Sequence, residues 1–246
     1  MKPRMSTASV SDINPLPYDF RPNMTHPLYL IRSHLARAIR ELAPKLEGRL
    51  LDFGCGLKPY RSLFQVDEYI GVDFHGEGLT YSQDAVDVFY DGKSLPFPDA
   101  SFDSIFTSEV FEHIFNLTEI LGELNRVLKV GGKVLITCPF VFPEHEVPND
   151  YARYTSFAMR AMMKEAGFRV LEQRKLGNWI EASTQIRLVY WDKYVFWFLR
   201  KVPIVRVVAR SSFNSLNNIM AKLMAAVLPA QDEYYLSNVI LAEKSN

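Results

Sequence analysis

Cysteine is nearly absent from this 246-residue chain: only Cys55 and Cys138 occur, and neither lies in a CxxC or Cys/His cluster with metal-ligand spacing. A disulfide framework is thereby excluded, and with it the small secreted scaffolds that need one. Excess charge is missing too, because 28 Lys and Arg balance 28 Asp and Glu, so there is no global pull toward nucleic acid or another polyanion. Nowhere do 18 uncharged apolar residues follow one another, and the N-terminal MKPRMSTASVSDINPLPYDF has no apolar run. Neither a spanning helix nor a signal peptide is expected, and a reducing cytoplasm is the natural location.

What is present is apolar substance, 48% of the residues, enough for a sizeable core in one large α/β domain. Residues 1–25 read as a flexible N-terminal arm, rich in Pro, Ser, Asn and Asp. Leu28, Ile31, Leu35, Ile39 and Leu42 then recur at spacings of three and four, which predicts a helix with one apolar stripe. From residue 49 strands and helices alternate. RLLDF, EYIGVDF, residues 85–91, 102–110 and 133–140, FRVLEQRKL and the C-terminal EYYLSNVILAEK read as seven strands. Pro59 suits the first turn of a helix through Phe64. Residues 117–132 read as a helix capped by Gly131 and Gly132, and SFAMRAMMKEAGF as one closed by Gly167. Such alternation predicts a Rossmann-like, mostly parallel sheet with helices on both faces.

In an open α/β sheet ligands bind beyond the carboxyl ends of the strands, so the Gly54-Cys55-Gly56 turn after the first strand is the expected site. A dinucleotide loop would carry a third glycine where Pro59 stands, and Asp52 would repel a pyrophosphate there. That carboxylate suits an ammonium group. Asp73 closes the second strand, where an acid accepts hydrogen bonds from ribose hydroxyls, and Asp91 ends the third, within reach of an exocyclic amine. Together these ligand groups describe S-adenosylmethionine better than a nicotinamide cofactor.

LLDFGCG, the strand end at Asp73, YDGKSLPFPDASFDSIFTSEVFEHI and ELNRVLKVGGKVLITCP resemble the class I S-adenosylmethionine-dependent methyltransferases of the type 11 group, over residues 49–175 and again at the last strand. The resemblance implies a seven-stranded sheet whose last strand is antiparallel. It places Asp52, Gly54 and Gly56 at the methionine end, Asp73 on the ribose, Asp91 and Gly92 at the adenine, and Ser108 or Glu109 near the sulfonium. Where the family carries glycine, Lys58 stands here, in a variant similar to that of sugar- and envelope-associated methyltransferases. Two readings stand for Lys58: facing the methionine carboxylate, or solvated in the loop.

Methyl transfer to oxygen asks for in-line positioning, exclusion of water and a base; no metal is expected. PFVFPEHEVPNDYARYT, after the fifth strand, resembles the same subgroup and hangs over the cofactor end. His145 is the candidate general base, its ordinary pKa being near neutral, and Tyr151 accompanies it. The rival role is structural, with Asp150 and Arg153 pairing to hold a lid. His113 reads as a buried, hydrogen-bonded histidine near the pocket.

Residues 178–230 form a helical aromatic and basic insertion before the last strand, dividing the catalytic domain into 26–177 and 231–246. Between Arg187 and Lys222 seven basic residues face one acid, Asp192. Two readings stand for it: a peripheral contact with an anionic inner membrane surface, or a cap over the pocket or a dimer face. Nucleic acid is a weak third option, as no binding module is recognisable. The expectation is a methyltransferase acting on oxygen of a small, glycan- or lipid-linked acceptor, with a catalytically inactive scaffold of the same fold as the alternative. The oligomeric state is left open.

Overall fold

The computed structural model describes residues 16–17, 20, 22–74, 85–229 and 231–245. Seven strands form one sheet: β1 (Arg49–Phe53), β2 (Glu68–Phe74), β3 (Val88–Tyr90), β4 (Phe102–Ser108), β5 (Leu128–Pro139), β6 (Phe168–Leu176) and β7 (Ser237–Lys244), in the order β3-β2-β1-β4-β5-β7-β6. β1 to β5 pair in parallel, while β7 runs antiparallel between β5 and β6. The seven-stranded Rossmann-like sheet with an antiparallel last strand is therefore as expected.

Side-chain alternation divides the core. Leu50, Phe106, Leu135, Val239 and Leu241 point to one face and pack with the apolar stripe of α1 (Tyr29–Leu42). Leu51, Phe53, Ile105, Val134, Ile136, Ile240 and Ala242 point to the other, toward α2 (Leu117–Val127) and α3 (Ser156–Glu165). A central strand buried on both sides must be apolar at consecutive positions, which is why these strands read as continuous hydrophobic runs.

Three local expectations are corrected. No α-helix follows Pro59: a single 3-10 turn, Arg61–Leu63, stands there, because Lys58 adopts a left-handed φ of 52° and is tied elsewhere. α2 stops at Val127, and Leu128 already pairs with Phe102. Gly131 and Gly132 thus lie inside β5, in a bulge where the pairing jumps to Lys133 with Ser104, and a Cβ on Gly132 would crowd the Asp103 carbonyl at 2.9 Å. The strands expected at 85–91 and from Glu233 onward are shorter, 88–90 and 237–244.

The arm is not loose throughout. Residues 1–15 lie outside the described residues, but Leu16 is buried, and Phe20 meets Tyr60 edge-on at 5.4 Å. The insertion consists of α4 (Trp179–Tyr190), a short irregular helical stretch, and α5 (Pro203–Val227). Two fully buried asparagines of α5 fasten that arm: Asn214 Nδ2 donates to Thr25 O at 2.9 Å and Asn218 Nδ2 to Met24 O at 2.7 Å. Gln185 of α4 does the same for α1, donating to Pro27 O and accepting from the Ile31 amide.

Candidate functional site

Strand order reverses between β1 and β4, since the chain steps outward through β2 and β3 before returning to the other side of β1. Diverging loops leave a crevice at such a point. A cleft of about 930 Å³ opens there, lined by residues from the ends of β1 to β5 and the loops beyond them. That volume suits a cofactor together with a small acceptor.

Asp52, Gly54, Cys55, Gly56, Asp73, Asp91, Gly92, Ser108 and Glu109 all line this cleft, as do His145 and Tyr151. Gly54 and Gly56 have φ of 72° and 48°, the left-handed turn that carries the chain away from β1. A Cβ on Gly54 would strike Val110 at 2.4 Å, whereas one on Gly56 would meet nothing within 4 Å. Open cleft thus begins directly at the Gly56 backbone. The Cys55 thiol turns away, against Gly71, and burial pushes its pKa up.

The acids occupy distinct environments. Asp52 is buried and takes a 2.5 Å hydrogen bond from Tyr69 Oη; burial outweighs that bond and lifts its carboxyl to about 7. Asp73 accepts from the Gly56 amide at 2.8 Å and from the Phe74 amide at 2.8 Å, so the acid closing β2 braces the glycine turn after β1. Asp91 is exposed, and its Oδ1 accepts from the amides of Ser94 and Lys93, which hold its pKa down. These three acids all line the cleft.

Lys58 takes neither expected position. Its Nζ lies 2.5 Å from Asp87 Oδ2, which also accepts from the Gly71 amide at 2.6 Å. The lysine passes beside Gly71, where a Cβ would meet its Cε at 2.2 Å. It is a tie across the back of β2.

On the acceptor side, Asp150 and Arg153 join through two hydrogen bonds, 2.5 and 2.6 Å, which outweigh the opposing effect of burial and hold the Asp150 carboxyl at about 2. Asp150 also accepts from the His145 amide at 3.0 Å. The His145 ring packs edge-on to His113 at 4.7 Å, and burial and the His113 neighbour lower its pKa. Tyr151 is half exposed, with Oη donating to Asn149 at 3.1 Å and its ring against Phe115. Ser108 hydrogen-bonds Thr137 at 2.8 Å. Glu109 has a left-handed φ of 56°, and enclosure of its carboxyl raises it to about 7.

Two contributors had no clear signal in the chain. Glu112, wholly buried, lies between His113 and His145; the EH pair in FEHIF was visible, but not its convergence with a loop 32 residues on. The second is a wall made by Phe20, Leu28, Ile31, Arg32 and Leu35. No residue of 178–230 lines the cleft among the described residues, so the insertion bears on it through α1 and the segment before it, not as a lid.

Residues 51–136 match the family model described as a methyltransferase domain. The chain is 26% identical over 166 residues to the O-methyltransferase rstn1 of Aspergillus nomiae, covering 56% of this chain and 72% of that protein. It is 28% identical over 192 residues to a protein of Mycolicibacterium smegmatis named as a probable S-adenosylmethionine-dependent methyltransferase, covering 67% and 74%. In fold it is similar to phosphoethanolamine N-methyltransferase 2 of Haemonchus contortus, solved in complex with S-adenosyl-L-methionine, with a TM-score of 0.53, 19% identity, and coverage of 92% of this chain and 60% of that one. Sheet order, matched segment and relatives agree in supporting a class I S-adenosylmethionine-dependent methyltransferase, with the family match lying over residues 51–136.

Proposed function

We propose that the protein methylates an oxygen of a small, glycan- or lipid-linked acceptor, with the cofactor along the acids of β1 to β3 and the acceptor between it and the loop after β5. The observation that carries this reading is that three strand-end acids line the same cleft as His145 and Tyr151 of the loop after β5. S-adenosylmethionine supplies the methyl group on a positively charged sulfur. Asp52 and the Gly54-Cys55-Gly56 turn take its methionine end, where a nearby ammonium favours the ionised form of a carboxyl otherwise poised near 7. Asp73 takes the ribose, Asp91 and Gly92 border the adenine, and Ser108 and Glu109 lie by the sulfonium. O-methyltransferases among the relatives support an oxygen acceptor.

His145 and Tyr151 act on the acceptor side. His145→Ala is expected to lower kcat about 100-fold while leaving S-adenosylhomocysteine affinity intact, as read by steady-state kinetics and titration calorimetry. An unchanged kcat would move His145 to a purely structural role.

For the acceptor's location, we place the segment around residues 191–208 at an anionic membrane surface. No helix among the described residues is long and apolar enough to cross a membrane. Trp197, Phe198, Ile204, Val205, Val207 and Val208 are nonetheless exposed. Of the seven basic residues, Arg210 and Lys222 are committed to Asp192 and Glu181, whereas Lys193, Arg200, Lys201 and Arg206 have no acid partner among the described residues. Apolar side chains flanked by unpaired cations suit a headgroup boundary. Cosedimentation with phosphatidylserine vesicles should be salt-sensitive and weaken roughly fivefold for each cation removed in Lys201→Gln and Arg206→Gln, as about 1 kcal/mol per charge implies. Binding indifferent to salt and to both changes would refute the placement.

A further inference from the structure

Beneath the acceptor side of the cleft, three side chains converge with no hydrogen bond joining them among the described residues. Glu112 is fully buried, and its Oε1 has no hydrogen-bond partner among the described residues. That oxygen lies 3.7 Å from His113 Nε2 and 3.8 Å from His145 Nε2, and the three atoms all fall within 4.8 Å of one another. These gaps exceed hydrogen-bond length.

The other ring nitrogens settle which atoms carry hydrogen. His113 Nδ1 lies 2.7 Å from the Asn149 carbonyl oxygen, which can only accept, so Nδ1 donates and Nε2 presents a lone pair. His145 Nδ1 faces two acceptors, Pro143 O at 3.3 Å and Asp150 Oδ2 at 3.3 Å, against one more distant donor, Arg153 Nη2 at 3.5 Å. Its Nε2 is then also left with a lone pair. Two imidazole lone pairs and a buried carboxylate oxygen pointed at one spot repel one another unless a proton or a metal cation stands among them. A histidine whose second nitrogen is held by a carbonyl or carboxylate is the arrangement that orients imidazole toward a metal.

We infer that Glu112, His113 and His145 form a site for a divalent transition-metal ion, whose open coordination positions face the cleft and take an oxygen of the acceptor. Two imidazoles and one carboxylate suit zinc, cobalt or manganese better than magnesium, which prefers oxygen ligands. Ligands about 2.1 Å from a tetrahedral ion stand about 3.4 Å apart, so two of the edges need to close by only a few tenths of an ångström. Contraction on binding is expected, since His145 lies on a loop. Glu146, on the same loop, places Oε2 3.8 Å from His113 Nε2 and is a further carboxylate within reach. This assigns His145 as a metal ligand in place of a general base. The metal site stands on the side-chain geometry alone; only the acceptor-binding role rests on the methyltransferase reading.

The test uses the full chain, stripped of metal with a chelator and titrated with Co²⁺ alone, followed by visible ligand-field absorption, and with Zn²⁺ by calorimetry. One equivalent should bind, and Glu112→Gln, His113→Gln and His145→Gln should each weaken it by more than about tenfold. Glu112→Gln is buried and can disturb folding, so His145→Gln, on the loop, carries the result if circular dichroism shows Glu112→Gln unfolded. S-adenosylhomocysteine titrations run alongside keep the two readings apart. Metal binding without nucleoside binding supports the site and counts against the cofactor reading. No stoichiometric binding at millimolar Co²⁺ or Zn²⁺, or binding unchanged in His113→Gln and His145→Gln, would overturn the site.

Discussion

Asp73→Ala should all but eliminate cofactor binding. The carboxylate closes β2 beside the glycine turn, and we assign it the ribose hydroxyls; each charge-assisted hydrogen bond lost there is worth about 1.5–3 kcal/mol, roughly ten- to hundredfold in affinity. A second effect adds to the first. Asp73 also accepts the Gly56 amide at 2.8 Å, so its removal frees the turn that approaches the methionine end. Asp73→Asn separates the two contributions, because an amide oxygen can still receive the Gly56 N–H while the charge is gone. Calorimetric titration with S-adenosylhomocysteine should therefore rank wild type above Asp73→Asn, and Asp73→Asn above Asp73→Ala. Equal affinity in all three would remove Asp73 from the cofactor site.

The largest loss of stability is expected for Glu181→Gln. Glu181 on α4 is buried, with both carboxylate oxygens 3.0 Å from His34 Nε2 of α1 and Oε1 2.7 Å from Lys222 Nζ of α5. Burial alone would raise its pKa, but the His34 hydrogen bond and charge, with Lys222, bring it to about 2. Removing one member of such a cluster leaves a shielded cation without its partner, at a cost of about 3 kcal/mol. The sign with pH follows from the lowered value. Wild type keeps this contribution above the ordinary carboxyl value of 4.5 and loses it as pH falls toward 2. Urea unfolding across that range should show the slope in wild type and a reduced one in Glu181→Gln. A variant as stable as wild type at pH 7 would mean that Asn214, Asn218 and Gln185 alone hold the insertion.

Much of the frame was legible because it depends on neighbours along the chain. Leu50 and Leu51 pack into opposite cores because successive strand residues point to opposite faces, so an apolar pair in sequence already announces a strand covered on both sides. Asp52, Asp73 and Asp91 were readable as strand-end acids for the same reason. The helix after Pro59 was misread because local propensity was outweighed by a distant contact, the reach of Lys58 to Asp87. Gly131 and Gly132 look like a helix cap in isolation, yet pairing of Leu128 with Phe102 ends the helix four residues earlier.

By itself, then, the chain determined the sheet, its two-sided core and the row of acids around a glycine bend, since periodicity and turn chemistry act over a few residues. Tertiary structure alone decided that Phe20 and Arg32 wall the cleft, that the insertion clamps α1 without covering the pocket, and that Glu112 meets two histidines. Those outcomes depend on which surfaces pack together, and packing between segments far apart in sequence is governed by shape and buried charge that no local pattern records.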